Sequence, residues 1–469
     1  MRVRGARWPT LLAACLAFFV ILLDTSIVNL ALVRMQEELH TNLGGIQWVV
    51  DGYALVFASL LLTGGTLADT WGAQPVFLFG ISLFTLASGL CGLAPNLDWL
   101  LAGRALQGIG AAVLLPGSLT LLRAAYPDVG ERARAVGLWI AAGGVANAAG
   151  PTVGGLLITA FSWRAIFLVN LPIGAGLAWL AARHVLRPAA NGGGHLDLQG
   201  QVLAIIALGL FTWTIIEGPD LGWTSLWIIG ALVVAIISAL AFIKVEGRAS
   251  EPMLPLDLFK GGVTVEVSLI AVLHNFGIYG QLFAAGLFLQ RVLGFTPLLA
   301  GLAFLPMTAA IAIFAFISGR WIAKSGPYAP LNTGHALAAA GSIGIAGLIA
   351  SGHSANTPLL LLCLTAVGMG AGFAAPPMTT VFLSSLPSER SGLAGGVLNT
   401  SRQIGNVLGI AALGTIITAF GGSATASGYV ASWMLAAAVL ATNVVLGLSV
   451  AYRQRAIVPA TACDADVHQ

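Results

Sequence analysis

The stretch Arg104-Ala105-Leu106-Gln107-Gly108-Ile109-Gly110-Ala111-Ala112, running on to Pro116, sets an arginine inside a segment, Trp99 to Leu122, that is otherwise almost wholly apolar. A cation is costly in hydrocarbon, so an intramembrane arginine reads as functional and needs a partner. Glycines two apart strip one side of a helix and let another backbone come close. The rest of the chain must supply that acid, the neighbouring helices and a route past them.

The composition fits that setting. The chain has 469 residues, 58% hydrophobic and 8% charged, with 59 glycines, where a soluble chain carries about 25% charged residues. A net charge of +3 without a basic run gives no footprint for nucleic acid. Cys15, Cys91, Cys363 and Cys463 stand singly, without metal spacing, and read as free thiols. No metal cluster, phosphate loop or nucleophile–base set is present in the sequence, so neither a cofactor nor an enzyme is expected.

A membrane-spanning helix needs about 20 apolar residues. Breaks at charges, Gly and Pro give fourteen spans, near 9–32, 46–67, 75–94, 98–122, 134–158, 164–183, 198–217, 225–244, 262–290, 297–319, 329–350, 358–383, 393–420 and 428–451. Helices are expected throughout, since open strand edges cannot face lipid. Arg2, Arg4, Arg7, Arg123, Arg132, Arg134, Arg183, Arg187, Lys244, Arg248, Lys260, Arg320, Lys324, Arg390, Arg453 and Arg455 fall on one side; Arg34, Arg164 and Arg291 fall on the other. The positive-inside rule then places both termini in the cytoplasm.

The chain also repeats. Gly108, Gly110 and Pro116 recur as Gly368, Gly370 and Pro376; Glu131-Arg132 recurs as Glu389-Arg390; Gly65 and Gly72 recur as Gly319 and Gly326. A near-constant offset with the same membrane sense means parallel repeats of six helices. The expected organisation is an all-α polytopic membrane protein: 1–183 an N-terminal six-helix bundle, 184–261 two linker helices and an inner-surface segment, 262–451 a C-terminal six-helix bundle, and 452–469 a disordered cytoplasmic tail. Within the linkers, Asn191–Gly194 reads as flexible and 251–260 as an amphipathic surface segment.

Asp24 lies deep in span 1, at the depth of Arg104 to within a helical turn. Burial and a neighbouring cation act on such an acid in opposite senses. Two readings stand: a carboxyl that gains and loses protons, or a structural ion pair. Span 5 carries Gly150-Pro151 with Gly154-Gly155, a small-residue face bent by proline. Asp69, between Gly65 and Gly72 in the first inner loop, reads either as a cap on a helix of the other half or as a solvated acid. Asn29, Gln107, Gly108, Asn147, His274, Asn275, Asn399 and Arg402 are the expected cavity residues; Arg402 has no acid at its depth. Glu217, Glu266 and Asp51 lie near span ends and read as reaching water.

On these motifs the chain resembles the major facilitator superfamily, in its fourteen-helix drug:proton antiporter group, over nearly its whole length. Arg104-x-x-Gln107-Gly108-x-Gly110 resembles the family's helix-4 motif, and Gly150-Pro151-x-x-Gly154-Gly155 the helix-5 motif of its antiporters. Leu23-Asp24-Thr25 with Asn29 resembles the helix-1 motif of proton-linked exporters. Trp163-Arg164 through Asn170, Pro172 and Gly174 resembles a signature of the fourteen-helix group. Two departures stand out: Thr70, Ala73 and Gln74 replace the basic residues expected after Asp69, and Val33 replaces a proline. Trp48 to Tyr53 and Glu217 to Thr224 are similar to methylenomycin A resistance proteins.

The resemblance implies a major facilitator fold and proton-coupled export of a small lipophilic antibiotic or drug across a bacterial inner membrane by a monomer. Protons and membrane lipid are then its other partners, and an acidic substrate is compatible with the subgroup. Asp24 would carry the proton and Arg104 would tune it. Export of an endogenous metabolite, or reception without transport, are the alternatives.

Overall fold

The computed structural model describes residues 2–187, 197–249, 252–259, 262–385 and 391–465. Fourteen long helices follow one another. The first eight are α1 Arg2–Ile27, α2 Leu43–Thr70, α3 Ala73–Gly92, α4 Leu97–Ala125, α5 Val129–Ala160, α6 Asn170–His184, α7 Leu198–Leu221 and α8 Leu226–Glu246. They continue as α9 Val263–Arg291, α10 Pro297–Ser325, α11 Tyr328–Ala350, α12 Thr357–Ser384, α13 Ser391–Ala419 and α14 Ala426–Ala465. Thirteen are long and apolar enough to cross a membrane. The other, α13, has 29 residues, which is ample length, and owes its lower hydropathy to Asn399, Ser401, Arg402, Gln403 and Asn406.

Local chemistry starts and stops these helices. Asn42, Asn96, Asp128, Asp197 and Thr296 cap α2, α4, α5, α7 and α10 by accepting a hydrogen bond from a first-turn N–H. The turns α2–α3 and α10–α11 hinge on Gly72 (φ 95°) and Gly326 (φ 78°), a backbone shape that glycine alone adopts cheaply. The repeat seen in the sequence is thus a repeat of turn geometry.

Close packing repeats as well. A Cβ on Gly108 would lie 2.7 Å from the Tyr53 carbonyl oxygen of α2, and one on Gly368 would collide with the Met307 carbonyl of α10. Gly110 meets Gly80 of α3 as Gly370 meets Gly334 of α11. The pairs α3–α4, α2–α4 and α1–α5 of one bundle reappear as α11–α12, α10–α12 and α9–α13 of the other. Between the bundles lies α7, over the α2–α13 seam: Gln201 donates to the Ser59 carbonyl (2.8 Å), and Thr415 donates to the Ile215 carbonyl (2.8 Å). The helix α8 packs mainly on α7.

Every hydrogen bond between the two bundles found among the described residues lies at the end where α1 gives way to α2. Gln47 donates to the Ala411 carbonyl (3.0 Å), Gln290 to the Leu30 carbonyl (3.2 Å), and Arg291 meets Glu37 (2.9 Å). Toward the other end α5 and α10 part, with Ile140, Val145, Ile313 and Phe316 exposed. There α2 and α13 stay close, Leu62 against Gly396.

Two expectations on the linkers and tail are met differently. Asn191–Gly194, Glu251, Lys260, Glu389 and Arg390 lie outside the described residues. The segment 452–465, expected as a disordered tail, continues α14 as helix; its Ala, Arg and Gln content favours helix.

Candidate functional site

The core of the N-terminal bundle holds a closed polar network. Arg104 and Asp24 are both fully buried, and Arg104 Nη1 lies 2.6 Å from Asp24 Oδ2. The other carboxylate oxygen, Oδ1, accepts from Gln107 Nε2 (3.2 Å) and from Asn170 Nδ2 (3.2 Å). Gln107 and Asn170 also reach Ser88 Oγ, at 2.7 and 3.3 Å. Arg104 spends a second Nη1 contact on Gln107 Oε1 (2.9 Å) and its Nε on the Val49 carbonyl (2.9 Å). Its guanidinium sits 4.2 Å from the Tyr53 ring centre and 5.8 Å from that of Phe167, positions that stabilise a desolvated cation.

The helical geometry follows from the sequence. Arg104 and Gln107 are one turn apart on α4 and therefore face the same way. Asp24 arrives from α1, Ser88 from α3 and Asn170 from the start of α6. Charge-assisted hydrogen bonds to both carboxylate oxygens offset the cost of burying the pair. The sequence expectation of a matched Asp24–Arg104 depth is thereby met as a contact. Ser88 and Asn170 were not expected; Asn170 does stand inside the Trp163–Gly174 stretch, which is the signal that points to it.

The small-residue face of α5 lies on α1. A Cβ on Gly150 would run into Ser26 Oγ, and one on Gly154 would come 2.7 Å from Ile27 Cγ1. Gly155 faces the other bundle, where a Cβ would lie 2.5 Å from the Pro297 carbonyl oxygen of α10, while Pro151 offers its own carbonyl to Gly301. The motif therefore packs α5 twice, within its bundle and across the interface. The same offset makes Gly405 and Gly409 its counterparts: they meet Val272 and Phe276 of α9.

The expected cavity residues divide. Gln107 is fully buried in the Asp24 network and does not line a cavity, because the face it shares with Arg104 points into the bundle. Gly108 likewise packs on α2. Asn29 bonds the Thr25 carbonyl (3.3 Å), and its backbone closes against Gly286 at the bundle interface. Asn275 bonds the Ala271 carbonyl (2.9 Å). His274 Nδ1 lies 3.2 Å from His335 Nε2 of α11, a pairing the sequence did not announce. Asn147, Asn399 and Arg402 are half-buried, and Arg402 Nη2 donates to Thr379 Oγ1 of α12 (2.7 Å).

At the α2–α3 end, Gly65 borders Pro116, and Asp69 is exposed within the field of Arg123 from its own bundle. The acids read as reaching water are more engaged than that. Glu217 accepts from Trp48 Nε1 (2.9 Å) and Glu266 pairs with Arg453 (3.1 Å). Asp51 is fully buried with neither carboxyl oxygen hydrogen-bonded among the described residues. Its position two turns into α2, facing protein, keeps it from the surface.

Comparison with known proteins agrees with this architecture. A family model described as Major Facilitator Superfamily matches residues 14–410 and, in a second match, 267–459. The multidrug resistance protein Stp of Mycobacterium tuberculosis is 39% identical over 412 residues, 88% of this chain and 76% of its own length. The methylenomycin A resistance protein of Streptomyces coelicolor is 39% identical over 409 residues, 86% and 84% of the two chains. Among solved structures, a POT family transporter in complex with a thioalcohol-conjugated peptide matches with a TM-score of 0.69 at 14% identity, over 94% of this chain and 96% of that one. A bacterial homolog of the lysosomal transporter Spinster, inward-facing, matches with a TM-score of 0.64 at 17% identity, over 95% and 96%. With two six-helix bundles, a buried Arg104–Asp24 centre and relatives along most of its length, the chain belongs to the Major Facilitator Superfamily.

Proposed function

We propose that this chain is a proton-coupled antiporter that exports a lipophilic antibiotic or drug across the bacterial cell membrane. The observation that carries the reading is the buried, hydrogen-bonded Asp24–Arg104 pair in one bundle of a two-bundle fold sealed at a single end. The relatives named for drug and antibiotic resistance support the cargo class. The Lys and Arg distribution supports reading the sealed end as the outer one, with both termini in the cytoplasm. The molecule described is then open inward, where a substrate enters from the cytoplasm or inner leaflet. Rocking of the bundles about α5–α10 and α2–α13 exchanges access. Proton entry at Asp24 requires Arg104 to give way, which ties protonation to the rearrangement. Opposed preferences of proton and substrate for the two states produce exchange.

The test is expression in a host lacking its own efflux pumps, screened against a broad compound panel. At least one compound should be tolerated at several-fold higher concentration, and a protonophore should restore its accumulation. Resistance that persists unchanged with the proton gradient collapsed would refute proton coupling.

A further inference from the structure

Among the described residues, the C-terminal bundle contains a cation, Arg402, without a counter-ion. Arg402 lies eleven residues along α13, about 16 Å from its start at helical rise. The helices α10, α11, α12 and α13 contain no Asp or Glu at all, and Glu266 of α9 is paired with Arg453. A guanidinium has five N–H donors; among the described residues only one protein acceptor engages Arg402, the Thr379 hydroxyl at 2.7 Å. None of its nitrogens is a buried orphan, so the free donors face accessible space.

The direction of that space follows from the helix period. On α13, Gly405 and Gly409 face α9, Ile410, Ala411 and Gly414 face α2, and Thr415 faces α7. The remaining face carries the half-buried Asn399, Arg402 and Gln403, toward α12 and the space between the bundles. By the offset that relates Gly150 to Gly405, Arg402 is the counterpart of Asn147 on α5. One bundle thus presents an amide where the other presents a positive charge.

We propose that Arg402 is an anion subsite: the exported substrate carries a carboxylate or similar oxyanion on an otherwise apolar body, and that group seats on Arg402. This rests on the export reading above and narrows its substrate class. A desolvated cation of this kind is worth most against an oxyanion, which it can engage through two parallel N–H donors. In the N-terminal bundle the buried Arg104 is committed to Asp24.

The experiment uses the purified full-length protein and three probes of one size: naphthoate, naphthalenesulfonate and neutral naphthamide. Binding is read by calorimetry and by the shift in thermal midpoint. The wild type should bind both anions more tightly than the amide. Arg402→Gln should weaken the anions about tenfold or more, as loss of a charge-assisted contact does, and leave the amide within about twofold. Arg402→Lys should keep part of the anion preference. Anions and amide bound alike, no anion bound by the wild type, or a loss in Arg402→Gln shared equally by the amide would each overturn the subsite. A pump that confers protonophore-sensitive resistance to neutral compounds yet binds no anion would sink this inference alone, whereas one that confers no resistance would take the export reading with it.

Discussion

Arg291, at the end of α9, holds Glu37, beyond α1, at 2.9 Å across the two bundles, and its second nitrogen reaches Gln36 Oε1 at 3.1 Å. Both side chains are partly exposed, so the pair is worth about 1 kcal/mol at most. That is about a fivefold change in the balance between open and closed states. Arg291→Ala should therefore loosen the outer seal without unfolding the protein. A cysteine at Asn29, which closes against Gly286, should label several-fold faster with an impermeant maleimide added outside. Unchanged labelling would mean that the backbone contacts alone hold the seal.

The contact of Gly150 with Ser26 yields a sharper test than bulk. Even alanine at 150 collides with the serine hydroxyl. Gly150→Ala should cut export strongly, since overpacking costs about 1–3 kcal/mol. Ser26→Gly in the same chain should recover most of it, because neighbouring sites are coupled. If the double variant exports no better than Gly150→Ala, the face serves something other than α1–α5 packing.

Asp69 is exposed and the basic residues usual after it are replaced by Thr70, Ala73 and Gln74. Asp69→Asn is therefore a surface change of about 0.5 kcal/mol or less, and export should stay within about threefold of wild type. Complete loss in a well-folded variant would assign Asp69 an essential partner in the outward-open state.

The parts of the site legible in the sequence are those where charge is scarce. Asp24 and Arg104 stand out because spans 1 and 4 hold no other charge at that depth, and the contact follows from equal depth. Ser88 and Asn170 were hidden because a lone Ser or Asn in an apolar run has no preferred reading. Gln107 was assigned to the wrong space: its spacing from Arg104 fixes a shared helix face, but not whether that face turns to the cavity or the bundle core. His335 lies two helices after His274, and only the meeting of side chains across the bundle joins them. The Arg291–Glu37 link was hidden for the opposite reason, since charges at span ends look like ordinary solvated loop residues.

Asp24→Asn tests the centre, but the geometry makes the single variant ambiguous. Asparagine keeps an oxygen for Gln107 and Asn170 yet strands Arg104 as a buried cation, and breaking one side of such a pair costs about 3–5 kcal/mol. Arg104→Gln strands the carboxylate in the same way. Replacing both removes both charges, so Asp24→Asn with Arg104→Gln should be more stable than either single variant, with its thermal midpoint close to wild type. Stability and coupling are thereby separated. If Asp24 carries the exchanged proton, the double variant should fold, bind substrate and allow downhill exchange between compartments of equal pH. It should move no protons in liposomes with an imposed pH gradient and an internal pH dye. If substrate still drives full proton movement in the folded double variant, Asp24 is a structural acid, and the unpartnered carboxyl of Asp51, buried in α2, becomes the group to replace next.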